Sequence, residues 1–229
     1  GIENGKLKSF MYEGYDFGED CIPLQGFGTI WFPDDTLLKA ASYRENGGWK
    51  FGGRLVTETP IADLSFAGDM VFTNCQMFVE QPGLQVHFAG DVDIYGTGYY
   101  ARREMGLMFK GADVTVDGNM TVAGARLGIE GGSLTVNGTV TQRKCVYDKD
   151  GGFLGGEIFA RAAPTNTPNA YGSTLTVNGD WNIEEGGVVR VECDRDNGAI
   201  VKILANRNLR LEAGAAINSD CAGWKYGPG

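Results

Sequence analysis

The sequence predicts an all-β solenoid, in which successive coils of chain stack through parallel strands. Three observations predict it: a nine-residue unit recurs, its apolar residues alternate, and glycine sits at its centre. The units are "LSFAGDMVF" from Leu64, "VHFAGDVDI" from Val86, "VTVDGNMTV" from Val114, "LTVNGTVTQ" from Leu134, "LTVNGDWNI" from Leu175 and "VKILANRNL" from Val201. Two looser matches, "WKFGGRLVT" from Trp49 and "LQGFGTIWF" from Leu24, extend the series toward the N-terminus.

Positions 1, 3, 7 and 9 of the unit are mostly apolar, which is the period of two that a half-buried strand requires on either side of a corner. Each unit therefore reads as two short strands. The corner carries Gly68, Gly90, Gly118, Gly138 and Gly179 at position 5, with Ala205 in the last copy. Glycine there is expected to supply a positive φ, so that Gly138→Val should destabilise the fold. The copies start 22, 28, 20, 41 and 26 residues apart, a spacing at which each copy builds one coil and longer intervals are loops.

Stacking the copies gives an inside list. Position 1 contributes Leu64, Val86, Val114, Leu134, Leu175 and Val201, and position 3 contributes Phe66, Phe88, Val116, Val136, Val177 and Ile203. In "ARLGIEGG", Leu127 and Ile129 suggest a third short strand and hence three faces per coil. A solenoid also needs covered ends, because a terminal coil exposes apolar core and unpaired strand edge. "PDDTLLKAASYREN", residues 33–46, has Asp candidates for an N-cap and Leu37, Leu38, Ala40 and Ala41 at helical spacing, and reads as one short helix near the N-terminus. The organisation that follows is an N-terminal cap over 1–48, a solenoid over 49–211 with insertions near 95–106 and 143–172, and a tail over 212–229.

Composition narrows the function. The chain of 229 residues carries 20 basic and 29 acidic side chains, a formal charge of −9, which disfavours nucleic acid and anionic membrane surfaces as partners. No apolar run is long enough to insert in a bilayer, and "GIENGKLKSF" has no signal-peptide core, so an exported form is expected to have lost its leader. Five cysteines without CxxC spacing argue against a zinc ribbon, and the odd count leaves a thiol free. Of the possible pairs, Cys193 with Cys221 fits adjacent coils, whereas Cys75 and Cys145 fall three coils apart, roughly 14 Å, too far to bridge.

Position 6 holds an acidic and amide series, Asp69, Asp91, Asn119, Thr139, Asp180 and Asn206 in this alignment. Neighbouring carboxylates such as Asp69 and Asp91 are the chemistry of a Ca²⁺ site or an acid pair. Asn and Thr in the same slot favour turn residues that bond back to the chain. No cofactor and no metal are expected. His87, the single histidine, falls in the outward position 2 in a stretch that also holds Asp91 and Asp93, and reads as a solvated side chain. A nucleophile elbow of the G-x-S-x-G type is absent, as is the calcium-binding nonapeptide. Thr115, Thr135 and Thr176, with Thr121 and Thr141, form a partial threonine array of the kind that orders water on a flat face.

The insertions carry the strongest candidates for a site. "YGTGYYARREMG" and "RKCVYDKDGGFLGGEIFARAAPTNTPNAYG" both leave after the second strand of a coil and so are expected on one flank. They supply Tyr99, Tyr100, Arg102, Arg103, Tyr147 and Phe153, joined by Phe159, Arg161 and Tyr171. Aromatic faces beside Arg and carboxylates suit a glycan, because sugar C–H faces pack on rings while hydroxyls take hydrogen bonds. Rings that merely cover the solenoid flank are the alternative. For an enzyme, Asp91, Asp93, Arg102, Arg103 and Glu104 are the one cluster with suitable ingredients.

The "LTVNGTVTQ" rungs resemble those of right-handed, single-stranded parallel β-helices, above all the solenoids of bacterial surface adhesins and autotransporter passengers. That resemblance spans residues 49–211 and implies an exported protein, extracellular or on the cell surface. It implies contact with a polysaccharide or host-surface glycan. The expected function is therefore a non-catalytic surface solenoid for adhesion or glycan contact. The alternative is a polysaccharide lyase or glycoside hydrolase on the same scaffold, which a carboxylate set recurring on one outer face would favour.

Overall fold

The structure, a computed structural model, describes residues 2–3, 6–7, 43–46, 52–55, 63–73, 76–96, 106–144, 155–165, 171–194, 196 and 199–219. It is a parallel β-helix with three faces. The first sheet stacks Asp63–Phe66, Gln85–Phe88, Asp113–Val116, Ser133–Val136, Tyr171–Val177 and Ile200–Ala205. The second stacks Met70–Thr73, Val92–Tyr95, Met120–Ala123, Val140–Arg143, Trp181–Ile183 and Leu209–Leu211. The third stacks Gln76–Glu80, Gly106–Lys110, Arg126–Glu130, Glu157–Arg161, Val188–Glu192 and Ala216–Asn218, with Gly52–Leu55 beneath them as a seventh strand. Reading one strand from each sheet in chain order gives six coils, numbered 1 to 6 from Asp63.

Every pairing between coils is parallel and sets like on like. Val114 lies between Val86 and Leu134, and Val116 between Phe88 and Val136. Ten of the twelve inside residues expected at positions 1 and 3 are buried, from Leu64 to Val177. The positions 7 and 9 add Met70, Phe72, Val92, Ile94, Met120, Val122, Val140, Trp181 and Ile183 to the same cluster. Phe66 and Phe88 stack with ring centroids 4.8 Å apart, and Phe72 meets Phe88 edge-on at 6.3 Å. Each such side chain stabilises the coil by about 1.5–3 kcal/mol through burial.

Among the described residues Gln142 is the largest polar side chain turned into the core. Gln142 is fully buried at position 9 of coil 4, where its Nε2 donates to Gly156 O at 3.1 Å and Val188 O at 2.7 Å. Its Oε1 accepts from the Trp181 indole at 2.8 Å. A polar group is tolerated in the core because donor and acceptor are both matched.

The glycine ladder corrects the sequence expectation. None of Gly68, Gly90, Gly118, Gly138 and Gly179 is among the positive-φ glycines, which are Gly83, Gly106, Gly111, Gly124, Gly131, Gly186 and Gly214 among the described residues. The reason for glycine is close approach of stacked corners. A Cβ on Gly138 would lie 2.4 Å from Gly118 O, and one on Gly179 would lie 2.3 Å from Gly138 O.

The last rung is also corrected. Ile203 stacks on Leu175 and Ala205 on Val177, so coil 6 is shifted two residues from the alignment, with Asn206 at position 4, Arg207 at position 5 and Asn208 at position 6. Val201 and Ile203 are partly buried, and Leu209, Leu211 and Ile217 are exposed at slots that earlier coils bury. The second insertion is shorter than expected as well, since Glu157–Arg161 inside 143–172 is the third strand of coil 4. Of the N-terminal helix, the described part is Tyr43, bridged to Met70, and the 3-10 turn Arg44–Asn46, while residues 33–42 lie outside the described residues.

Candidate functional site

The site is built at the corner between the second and third sheets. Coil 2 runs from Val92–Tyr95 to Gly106–Lys110, and coil 4 from Val140–Arg143 to Glu157–Arg161, while coil 3 turns the same corner through Gly124 and Ala125 alone. Because sheet two places Val92–Tyr95 and Val140–Arg143 on either side of Met120–Ala123, both insertions start from one flank, two coils apart. That separation is about 10 Å at sheet spacing.

The neck of each insertion is held by backbone bonds. Gly96 N–H donates to Ala123 O at 2.8 Å, Gly156 N–H to Arg143 O at 2.7 Å, and Lys144 pairs with Gly155 across the second neck. Gly106 has a φ of +131°, and an added Cβ would meet Arg126 O at 1.8 Å, so the chain re-enters coil 2 at a point open to glycine alone. The six candidate contacts, Tyr99, Tyr100, Arg102, Arg103, Tyr147 and Phe153, belong to the insertions themselves and lie outside the described residues, as does Glu104.

Around the necks the described side chains form two groups. In the first, Tyr95, Ala123 and Arg143 share one column on the outer face. The small Ala123 lets the long side chains of its neighbours meet over it. Burial, then the charge and hydrogen bond of Asp93, push the Tyr95 phenol above its ordinary range, against an opposing pull from Arg143. Asp93 also accepts Arg44 Nη2 at 2.8 Å, and Arg44 Nη1 reaches Asp69 Oδ2 at 3.1 Å. In the second group, Phe159 lies between the guanidinium carbons of Arg126 at 5.2 Å and Arg161 at 5.3 Å. Phe159 is 4% exposed although it points outward from the third sheet, and Glu157 in the same strand is 5% exposed with Arg126 Nη2 at 3.0 Å. Sequence reading placed Phe159 and Arg161 in a loop and missed Tyr95 and Arg143. Extending the rung alignment by one residue past position 9 would have aligned the latter two.

The other candidates are explained by the stacking. At position 6, Asp69 Oδ1 accepts Asp91 N–H at 3.0 Å, Asp91 Oδ1 accepts Asn119 N–H at 2.8 Å, and Asn119 Oδ1 accepts Thr139 N–H at 2.9 Å. Asp180 Oδ1 accepts Asn208 N–H at 3.4 Å in the same way, and also the Asn208 Nδ2 amide at 3.0 Å. Each side chain thus caps the corner of the next coil. Among the described residues no group of three or more His, Cys, Asp or Glu is placed to hold a metal ion.

His87 is paired across the stack with Asp117, not with Asp91 or Asp93: its Nε2 lies 2.7 Å from Asp117 Oδ2. The His87 ring first, and the Asn137 amide second, hold the Asp117 carboxyl below the usual carboxylate range. Tyr171 opens the first strand of coil 5, half exposed, with Lys202 Nζ 5.0 Å from its ring centre. Cys193 is a free thiol, which corrects its expected pairing with Cys221. The other four cysteines lie outside the described residues. No described helix is long and apolar enough to cross a membrane. No family model, no curated protein and no solved structure matches the chain.

Proposed function

We propose that this chain is a non-catalytic, exported surface solenoid that presents its insertion corner to a polysaccharide or host-surface glycan. The observation that carries the reading is the common origin of the two insertions on one flank, two coils apart. A repeating scaffold normally closes its corners as coil 3 does, through Gly124 and Ala125, and loops added at one corner of a rigid scaffold are where binding is placed. Their sequences add three tyrosines, a phenylalanine and two arginines, the composition that packs on sugar rings and bonds to their hydroxyls. The non-catalytic reading is supported by the outward carboxylates: Asp69, Asp91 and Asp180 are engaged with neighbouring corners, while Glu130 and Glu192 are paired with basic side chains.

The test is a glycan array with the parent chain, followed by the triple variant Tyr99→Ala, Tyr100→Ala, Phe153→Ala. Retention on the glycan that the array identifies is expected to disappear while the thermal midpoint moves by no more than a few degrees. A blank array, or a triple variant that unfolds, would make the rings cover for the core and remove the glycan reading.

A further inference from the structure

The column at position 4, one residue past the strands of the first sheet, is a hydrogen-bonded ladder. Asn206 Nδ2 donates to Asn178 Oδ1 at 2.7 Å, Asn178 Nδ2 to Asn137 Oδ1 at 2.8 Å, and Asn137 Nδ2 to Asp117 Oδ1 at 2.9 Å. All the donors point the same way along the stack, and the run ends on the carboxylate that also faces His87. Two of its asparagines are followed by glycine, at Asn137-Gly138 and Asn178-Gly179, because the corner admits no Cβ there. That pairing has a chemical consequence. With no side chain in the way, the glycine nitrogen can reach the asparagine Cγ more readily than any other following residue.

We propose that Asn137-Gly138 and Asn178-Gly179 are self-modification sites that the ladder keeps latent. In the reaction the glycine amide nitrogen loses its proton and attacks Cγ, a C–N bond forms, the Cγ–Nδ2 bond breaks, and Nδ2 leaves as ammonia. Solvent water then opens the cyclic imide to aspartate or isoaspartate. No oxidant or cofactor enters the balance. In the folded coil both ends of each asparagine amide are engaged, so reaching the attacking geometry breaks two ladder bonds. The nucleophile of the first pair is engaged too, since Gly138 N–H donates to Gly118 O at 3.1 Å.

The ladder also sets an order. Asn137 is held through a carboxylate acceptor, and a charge-assisted bond is stronger than the neutral one that holds Asn178. Asn178 receives its other bond from coil 6, the least buried coil. Conversion therefore starts at Asn178. Once Asn137 converts, its new carboxylate stands where an amide donor had been 2.9 Å from Asp117 Oδ1, and the two like charges open the ladder at that rung.

The experiment holds the full chain in mildly alkaline buffer, folded and in urea, and follows the Asn, Asp and isoaspartate forms of both corner peptides by chromatography and mass spectrometry. Folded chain is expected to convert at least about twenty-fivefold more slowly than unfolded chain, with two ladder bonds each contributing roughly fivefold. Asn178 should lead Asn137 in the folded state. Asp117→Ala should accelerate Asn137 about fivefold. Asp117→Asn, which keeps an acceptor oxygen but loses the charge, should accelerate it less than Asp117→Ala does. Equal rates in folded and unfolded chain overturn the proposal, as does an unchanged Asn137 rate in an Asp117→Ala variant that keeps its circular dichroism. If Asp117→Ala fails to fold, Asn206→Ala at the exposed end decides: it should speed conversion of Asn178, and an unchanged rate there overturns the proposal.

Discussion

Substituting alanine at Gly138 and at Gly68 tests why the corners carry glycine. The Cβ of Gly138→Ala would sit 2.4 Å from Gly118 O and 2.6 Å from Gly118 C, where ordinary contact begins at 3.4 Å. Both opposing atoms are backbone, so the two coils must part by about 1 Å at this corner. Parting them also weakens the bonds from Gly138 N–H to Gly118 O and from Asn137 N–H to Val116 O. Overpacking at 1–3 kcal/mol and a damaged hydrogen bond at about 1 kcal/mol give an expected loss of about 3 kcal/mol. Gly68 occupies the same slot in coil 1, where an added Cβ meets ring carbons of Tyr43 at 3.4 Å. Gly68→Ala should therefore be neutral, or stabilising by up to about 1 kcal/mol through the unfolded chain. Urea unfolding followed by circular dichroism measures both. If the two alanines cost the same, or if Gly138→Ala stays within about 1 kcal/mol of the parent, close stacking is not what fixes glycine at position 5.

Three further outcomes are expected. Gln142→Leu should cost about 2–4 kcal/mol, because it leaves the Trp181 indole N–H and the carbonyls of Gly156 and Val188 without a partner, and adding Trp181→Phe should recover part of that loss in a double-mutant cycle. His87→Ala should raise the Asp117 carboxyl toward its ordinary range in an NMR titration. A carboxyl held low in the folded state stabilises above the unfolded carboxylate range and loses that contribution as pH falls through its folded pKa, so the variant should lose it at a higher pH than the parent does. Glu130→Lys should destabilise modestly, by no more than about 1 kcal/mol, and the deficit should shrink in high salt, since it sets a third positive charge between Lys110 and Arg161.

Much of the scaffold was legible because stacking repeats a chemical demand. Apolar residues at positions 1, 3, 7 and 9 mark the inside of the first two sheets in coils 1 to 5, Gln142 excepted, and Leu127 and Ile129 marked the third. Glu157–Arg161 escaped because the alternation fails there: Ile158, Phe159 and Ala160 are all buried, and so is the outward Glu157. The last rung was read two residues early because Val201, Ile203 and Ala205 alternate equally well in either register, and Arg207 removes the glycine that marks the corner. Position 5 was assigned to glycine correctly but for the wrong cause, since a need for close approach and a need for positive φ leave the same residue in a sequence. Of the candidate site, the shared corner was legible from loop positions. Tyr95, Arg143 and the Arg126–Phe159–Arg161 stack were not, because Tyr95, Ala123, Arg143 and the Arg126–Phe159 pair are brought together from 20 to 48 residues away in the chain.

The outer edge of the third sheet carries a column of alternating sign, Glu80, Lys110, Glu130, Arg161 and Glu192, each beside the next. Lys110 reaches Glu80 at 3.2 Å and Glu130 at 3.7 Å, while Arg161 reaches Glu130 at 3.4 Å and Glu192 at 2.7 Å. The asparagine column just past the first sheet has a period of one coil, whereas this column has a period of two. Tandem duplication of coil 3 alone would set Glu130 on its own copy, and the like charges would repel. Duplicating coils 2 and 3 together preserves the alternation throughout. Growth or shortening of this solenoid by gene duplication is therefore easier in pairs of coils than singly, and the charge column acts as a parity rule on its length.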